Sequence, residues 1–138
     1  MIHISNDFGD MIFDANVGFM SSNADKYLQL SGNPSFVDVM KSIEKRISQY
    51  DYKCVSEDQI EQKAKYIKDG DIIAFCSNIE GLDVAHTALA YHIDNQLHFI
   101  HASTTEDKVV VSEKSMAGYV KDRKNVYGIL VARPVFKN

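Results

Sequence analysis

Apolar residues change their rhythm along this chain. Between positions 34 and 50, Phe36, Val37, Met40, Ile43, Ile47 and Tyr50 recur at three- and four-residue steps, the spacing of one helical face. Asn33 can cap that helix, and Pro34 suits its first position, where no backbone N–H is needed. From Ile72 the rhythm shortens. Ile72 to Cys76 is an uninterrupted apolar run between turn residues, as in a strand buried on both faces. Val84 to Ile93 and Leu97 to Ala102 flank Asp94-Asn95, a pair that tolerates positive φ and so predicts a tight hairpin. Lys108 to Val111 and Val126 to Val131 read as two further strands. Between them Ser112 is expected to cap a helix that runs to about Asp122.

The first twenty residues have no such period. Asp7, Gly9, Asp10, Asp14, Asn16 and Gly18 interrupt a sparse apolar set, which predicts loop with one short strand. Ser22 or Asn23 is expected to cap a short helix carrying Tyr27, Leu28 and Leu30 and ending near Gly32. Asp51 to Val55 predicts a strand. Ser56-Glu57-Asp58-Gln59 has the residues of a capping box and is expected to open a helix reaching Tyr66 or Ile67. Lys68-Asp69-Gly70-Asp71 predicts a turn. Helices first, then a mostly antiparallel sheet with one inserted helix, give an α+β class in a single domain over residues 1–138.

Composition narrows the field of functions. The 138 residues carry 15 Lys+Arg against 19 Asp+Glu, a formal charge of −4, so no basic face for a phosphate backbone is expected and nucleic acid is not an expected partner. No apolar run reaches the roughly 18 residues of a membrane span. The N-terminus MIHISNDFGD lacks the basic and apolar regions of a secretory signal. Two Cys allow at most one disulfide.

The histidines carry more. Four of the five, His86, His92, His98 and His101, fall within sixteen residues. With Asp94-Asn95 at the turn, Ile93 pairs with Gln96 and Tyr91 with His98. Alternation then puts His86, Ala88, Ala90 and His92 on one face with Leu97, Phe99, His101 and Ser103. His101 sits opposite Ala88, and His86 is one diagonal step away, roughly 7–8 Å at Cα, within reach of two imidazoles. Ala88 and Ala90 leave space for another element to pack closely. His98 points to the other face, and His3, His92 and His98 read as structural or solvent-facing. Two chemistries stay open for His86 and His101. One is a catalytic base oriented by a second polar group. The other is a zinc site using both imidazoles with Asp83.

Gly70-Asp71-Ile72-Ile73-Ala74-Phe75, Val84-Ala85-His86-Thr87-Ala88-Leu89-Ala90-Tyr91 and Phe99-Ile100-His101-Ala102 together resemble the second half of the NlpC/P60 cell-wall hydrolases, papain-like thiol enzymes that act on peptidoglycan peptides. The finer resemblance is to the DUF1460, or N-acetylmuramoyl-L-alanine amidase-like, subfamily. It shows in Gly81-Leu82-Asp83-Val84-Ala85-His86, Leu97-His98-Phe99-Ile100-His101-Ala102-Ser103 and Gly128-Ile129-Leu130-Val131-Ala132-Arg133-Pro134, and upstream in Phe19-Met20-Ser21 and Tyr27-Leu28-Gln29-Leu30. It covers residues 17–134.

The resemblance implies a papain-like module with N-terminal helices, His86 as the base that deprotonates a thiol and His101 as the orienting third member. Asp83 and Ser103 are the expected substrate-binding residues, and no cofactor or metal is expected. It also implies a nucleophile-bearing helix whose N-terminus would meet Ala88 and Ala90. The family's Asp-Cys helix start, which precedes the Gly-Asp strand, is missing from this sequence. Cys76 ends an apolar strand, and Cys54 precedes the helix expected after Ser56; both read as small buried hydrophobes, with Cys54 the one remote candidate nucleophile.

Three readings follow, in order. The chain is the C-terminal part of a peptidoglycan amidase; or a degenerate member that binds cell-wall peptide or a protein partner without cutting; or an enzyme using Cys54. A histidine zinc site is a fourth. The implied partners are a peptidoglycan peptide or muropeptide, with a missing N-terminal segment or a second copy completing the site. On the first reading the His86 and His101 face, with Leu97 and Phe99, is expected to be exposed. The implied location is the periplasm or cell envelope, while the N-terminus leaves the cytoplasm open.

Overall fold

The computed structural model describes residues 1–136. Seven strands form one sheet: β1 (Met11–Phe13), β2 (Tyr52–Ser56), β3 (Ile72–Ser77), β4 (Val84–Ile93), β5 (Gln96–Ser103), β6 (Lys108–Val111) and β7 (Val126–Ala132). Their order is β1-β2-β7-β3-β4-β5-β6, and every neighbouring pair is antiparallel. β3 and β7 lie at the centre because both are nearly continuous apolar runs; Ile73, Phe75, Ile129 and Val131 are wholly buried. One row of neighbours across the sheet runs Val55, Ile129, Phe75, His86, so these four side chains share a face. Cys54 and Cys76 belong to a smaller apolar cluster on the other face, with Phe13 and Tyr52.

The hairpin of β4 and β5 has the expected register. Asp94 and Asn95 take φ of 48° and 66°, the geometry of a two-residue type I′ turn. Ile93 pairs with Gln96, and Tyr91 with His98. Just before β3 the chain turns at Gly70, whose φ of +84° suits a residue without a Cβ. Asp71, the next residue, is nearly fully buried. Arg133, just beyond β7, grips it in a fork: Nε donates to Oδ1 at 2.8 Å and Nη2 to Oδ2 at 2.7 Å. That fork ties the start of β3 to the end of β7.

Five α-helical segments accompany the sheet: α1 (Ser5–Phe8), α2 (Phe19–Ser22), α3 (Pro34–Ile47), α4 (Ile60–Lys63) and α5 (Met116–Lys121). α5 packs on the same face as Phe75, and its Met116 and Val120 are buried in the core cluster that also holds Phe99, Ala88 and Ala90. Those two alanines, expected to receive a nucleophile-bearing helix, are therefore covered by the chain's own residues. Leu97 and Phe99 are buried too, so this part of the hairpin face is not an exposed apolar patch.

Four other expectations need correction. The stretch after Ser56 is a 3₁₀ turn (Glu57–Gln59), one α turn and a second 3₁₀ turn (Ala64–Tyr66), not one helix. The Ser56 hydroxyl is taken by the Asp10 carboxylate, which also accepts the Ser56 N–H, so no capping box closes. The helix before β7 starts three residues later than expected. Ser115 caps it, accepting from Gly118 N at 3.3 Å, because the Ser112 hydroxyl is committed to Phe99 N and Lys114 O. Tyr27 and Leu28 follow a 3₁₀ turn (Ala24–Lys26) instead of lying in a helix. Finally, the stripe on α3 is only partly covered: Phe36 and Ile47 are exposed, and the one buried residue of the helix is Glu44, which accepts Ser21 N at 3.0 Å.

Gly128 lets β7 close on β2. A Cβ there would lie 2.4 Å from the Val55 carbonyl oxygen, inside the ladder itself, where nothing flexible can yield. Gly128→Ala is expected to lower stability by about 2–3 kcal/mol, read as a reduced urea midpoint at unchanged slope. A midpoint like that of the parent chain would show that the two strands can separate without cost.

Candidate active site

His86 Nε2 and His101 Nδ1 lie 2.8 Å apart, with the rings nearly perpendicular at 85°. The hairpin register brings them together, and an aromatic floor fixes both rings. Phe75 lies nearly parallel to His86 at 6.0 Å between centroids, and Phe99 meets His101 edge-on at 4.9 Å. Tyr119 of α5 packs against Phe75 and Phe99 and approaches His101. Both imidazoles are half-buried in a cleft of about 240 Å³ that is also lined by Ser103, Thr104, Thr105 and Arg123.

One ring must donate and the other accept in this contact. When His86 Nε2–H donates to His101 Nδ1, the lone pair left on His86 is at Nδ1, ready to accept a proton. The environment keeps the pair neutral. Burial is the largest influence lowering the proton affinity of His86, followed by the charges of His101 and Arg123. His101 is lowered first by burial and then by Arg123, with Glu106 in partial opposition. A neutral, oriented imidazole is what a general base requires.

The other expected site residues are distributed differently. Ser103 lines the cleft, and its hydroxyl accepts the Glu106 N–H at 3.2 Å. Asp83 does not line it. Burial, then the charges of Asp14 and Glu44, push its carboxyl above the ordinary range. The two imidazoles face each other through His86 Nε2 and His101 Nδ1, and Asp83 does not line their cleft. Among the described residues, no three His, Cys, Asp or Glu side chains gather as a metal site requires.

Cys54 and Cys76 are wholly buried, across the sheet from His86. Cys54 Sγ donates to Met11 O at 3.6 Å, and the neighbouring Cys54 thiol together with burial holds the Cys76 thiol far above its ordinary range. Neither thiol faces the base. His98 is buried, its Nδ1 3.0 Å from Ser112 O; His92 Nδ1 lies 2.7 Å from Asp69 Oδ1; His3 meets Tyr52 edge-on.

Sequence reasoning missed Tyr119 and Arg123. Their four-residue spacing is a helical signal that could have placed both on one side, but nothing in the sequence points that side toward the histidines.

The lowered proton affinities have a sign that can be tested. The unfolded chain protonates these two imidazoles first, near pH 6.5, so the fold loses their contribution as pH falls below about 6.5 toward the lowered midpoints. Urea midpoints measured from about pH 7 to 5 should fall, and the double variant His86→Gln/His101→Gln should fall less steeply. An identical slope in parent and variant would assign the effect to other groups.

With the site described, likeness to known proteins has a definite meaning. The N-acetylmuramoyl-L-alanine amidase-like (AmiA-like) family matches residues 3–129. Among solved structures, an N-acetylmuramoyl-L-alanine amidase from Bacteroides uniformis ATCC 8492 is 35% identical with a TM-score of 0.82, covering 94% of this chain and 55% of its own. A proposed xylanase from Bacteroides fragilis is also 35% identical, with a TM-score of 0.80, covering 94% of this chain and 57% of its own. This chain thus spans little more than half the length of those relatives. Among curated proteins, none matches. The chain belongs to the N-acetylmuramoyl-L-alanine amidase-like family.

Proposed function

We propose that this chain is the base-bearing part of a thiol-dependent peptidoglycan amidase of the papain-like NlpC/P60 kind. The observation that carries the reading is the 2.8 Å contact between His86 Nε2 and His101 Nδ1, which leaves His86 Nδ1 outside the contact and able to take a proton. His86 would take the proton from a thiol and later return it to the leaving nitrogen; His101 would hold the ring and its tautomer. The thiol would come from outside these 138 residues, since both cysteines lie across the sheet from His86. By itself, then, the chain binds a muropeptide without cutting it. The cell envelope is the compartment where such a substrate is met.

The reading is supported by family membership and by the amidase relative. A xylanase would call for two carboxylates facing each other across the sugar. Of the carboxylates in the pocket adjoining His101, Glu106 is paired with Lys108 and Asp122 with Lys114, and the pocket that holds His86 presents hydroxyls and Arg123. Among the described residues, no helix is long and apolar enough to cross a membrane.

The test is complementation. The chain alone should leave muropeptides intact. Mixed with the part of the Bacteroides uniformis amidase that it does not match, it should restore hydrolysis. In that mixture His86→Ala should cut turnover by about 10²–10⁴-fold, and His101→Ala by about 10–100-fold. Hydrolysis by the chain alone, or turnover indifferent to His86, would overturn the assignment.

A further inference from the structure

We propose that Arg123, held over the Tyr119 ring at the rim of the cleft containing His86 and His101, is a carboxylate-binding subsite for an acidic peptide. The inference rests on the functional reading above for the nature of the peptide, and on independent geometry for the subsite. The Arg123 guanidinium carbon lies 4.4 Å from the centroid of the Tyr119 ring. A guanidinium over an aromatic face can still offer its N–H groups to a carboxylate. The backbone is fixed on both sides: Arg123 N donates to Val120 O at 3.0 Å, and Val126 N donates to Arg123 O at 3.2 Å.

The charges around it are arranged so that the fork is unspent. Asp122, the adjacent carboxylate, is engaged by Lys114. Glu106, on the same side of His101, pairs with Lys108 at 3.5 Å. Among the described residues Arg123 makes no ion pair, although the chain as a whole carries a formal charge of −4. An unpaired cation on an acidic protein, stacked on an aromatic ring that also contacts the base-bearing floor, is a selective place for an anion. Hydroxyl groups of Thr104 and Thr105 line the same cleft, alongside the Ser103 hydroxyl already held by Glu106 N. A peptide bearing a free carboxylate next to its scissile amide would thus be anchored at Arg123 while the amide lies over His86.

The experiment is a titration of the full chain, labelled for NMR, with N-acetyl-L-alanyl-D-glutamate, with its diamide, and with acetate at equal ionic strength. The diacid should shift the Arg123 Nε–H and His101 signals and bind at least about tenfold more tightly than the diamide or acetate. Arg123→Gln should lose that tenfold preference, and Arg123→Lys should recover only part of it. A second readout separates binding from support of the fold. Removing the guanidinium charge in Arg123→Gln, or neutralising it with bound diacid, should raise the titration midpoints of both His86 and His101.

Equal binding of diacid and diamide, equal binding of acetate, an Arg123→Gln chain that binds like the parent, or no perturbation by the diacid would each overturn the subsite. The functional reading fails separately. In the complemented amidase, Arg123→Gln with unchanged KM removes the subsite and leaves the amidase assignment standing. Failed complementation with diacid still selected at Arg123 removes the amidase assignment and keeps the subsite.

Discussion

The two-residue turn at Asp94 and Asn95 is the constraint on which the site depends. Side chains alternate along a strand, so a slip of one residue in the β4–β5 pairing would send His101 to the opposite face from His86. Both turn residues take positive φ, a conformation that Asp and Asn tolerate better than other residues with a side chain. The register they set does several jobs at once. It stacks Phe99 into the core, places His98 where its ring meets the Ser112 carbonyl, and leaves His101 one diagonal step from His86. A longer or looser turn could make the same strands without making the pair.

The electrostatics of the cleft run against those of the molecule. The chain is acidic overall, yet the polar wall at the two imidazoles is made of hydroxyls and one guanidinium, and in the adjoining pocket Glu106 and Asp122 are paired with lysines. Burial and the nearby positive charge act in the same direction on both rings, favouring the neutral form. A site of this kind holds a base ready at neutral pH without needing an acidic partner to orient it. On the proposed reading His101 orients His86 as an uncharged hydrogen-bond partner, and so adds no negative charge that would repel an anionic ligand.

The sheet was legible wherever one local signal dominated. The buried run at Ile72, the Asp94-Asn95 turn and the alternation through β4 and β5 each pointed to a strand and a register, and through them to the His86–His101 pair. α3 was legible from its period and from Pro34. What stayed hidden depended on competition between distant groups. Ser56 reads as a cap until Asp10, 46 residues away, takes its hydroxyl, and Ser112 reads as a cap until Phe99 N takes its oxygen. The space above Ala88 and Ala90 is real in sequence terms, but the chain's own core buries both. Asp83 is close to His86 in sequence and belongs to a different electrostatic neighbourhood, beside Asp14 and Glu44.

The way α3 is attached gives the molecule two tiers of cooperativity. Its principal packing partner is α2, and its firmest ties are polar: Glu44 to Ser21 N, and Ser48, just past its end, to Val17 N. Little apolar area is at stake along Phe36, Val39 and Ile47, and no ladder bond of the sheet passes through it. Such an element can detach and return while the sheet stays intact, a partial unfolding of lower free energy than the global one. Its amides would then exchange with solvent long before those of β3 and β7, and the His86–His101 pair, anchored in the slow tier, would outlast the helix.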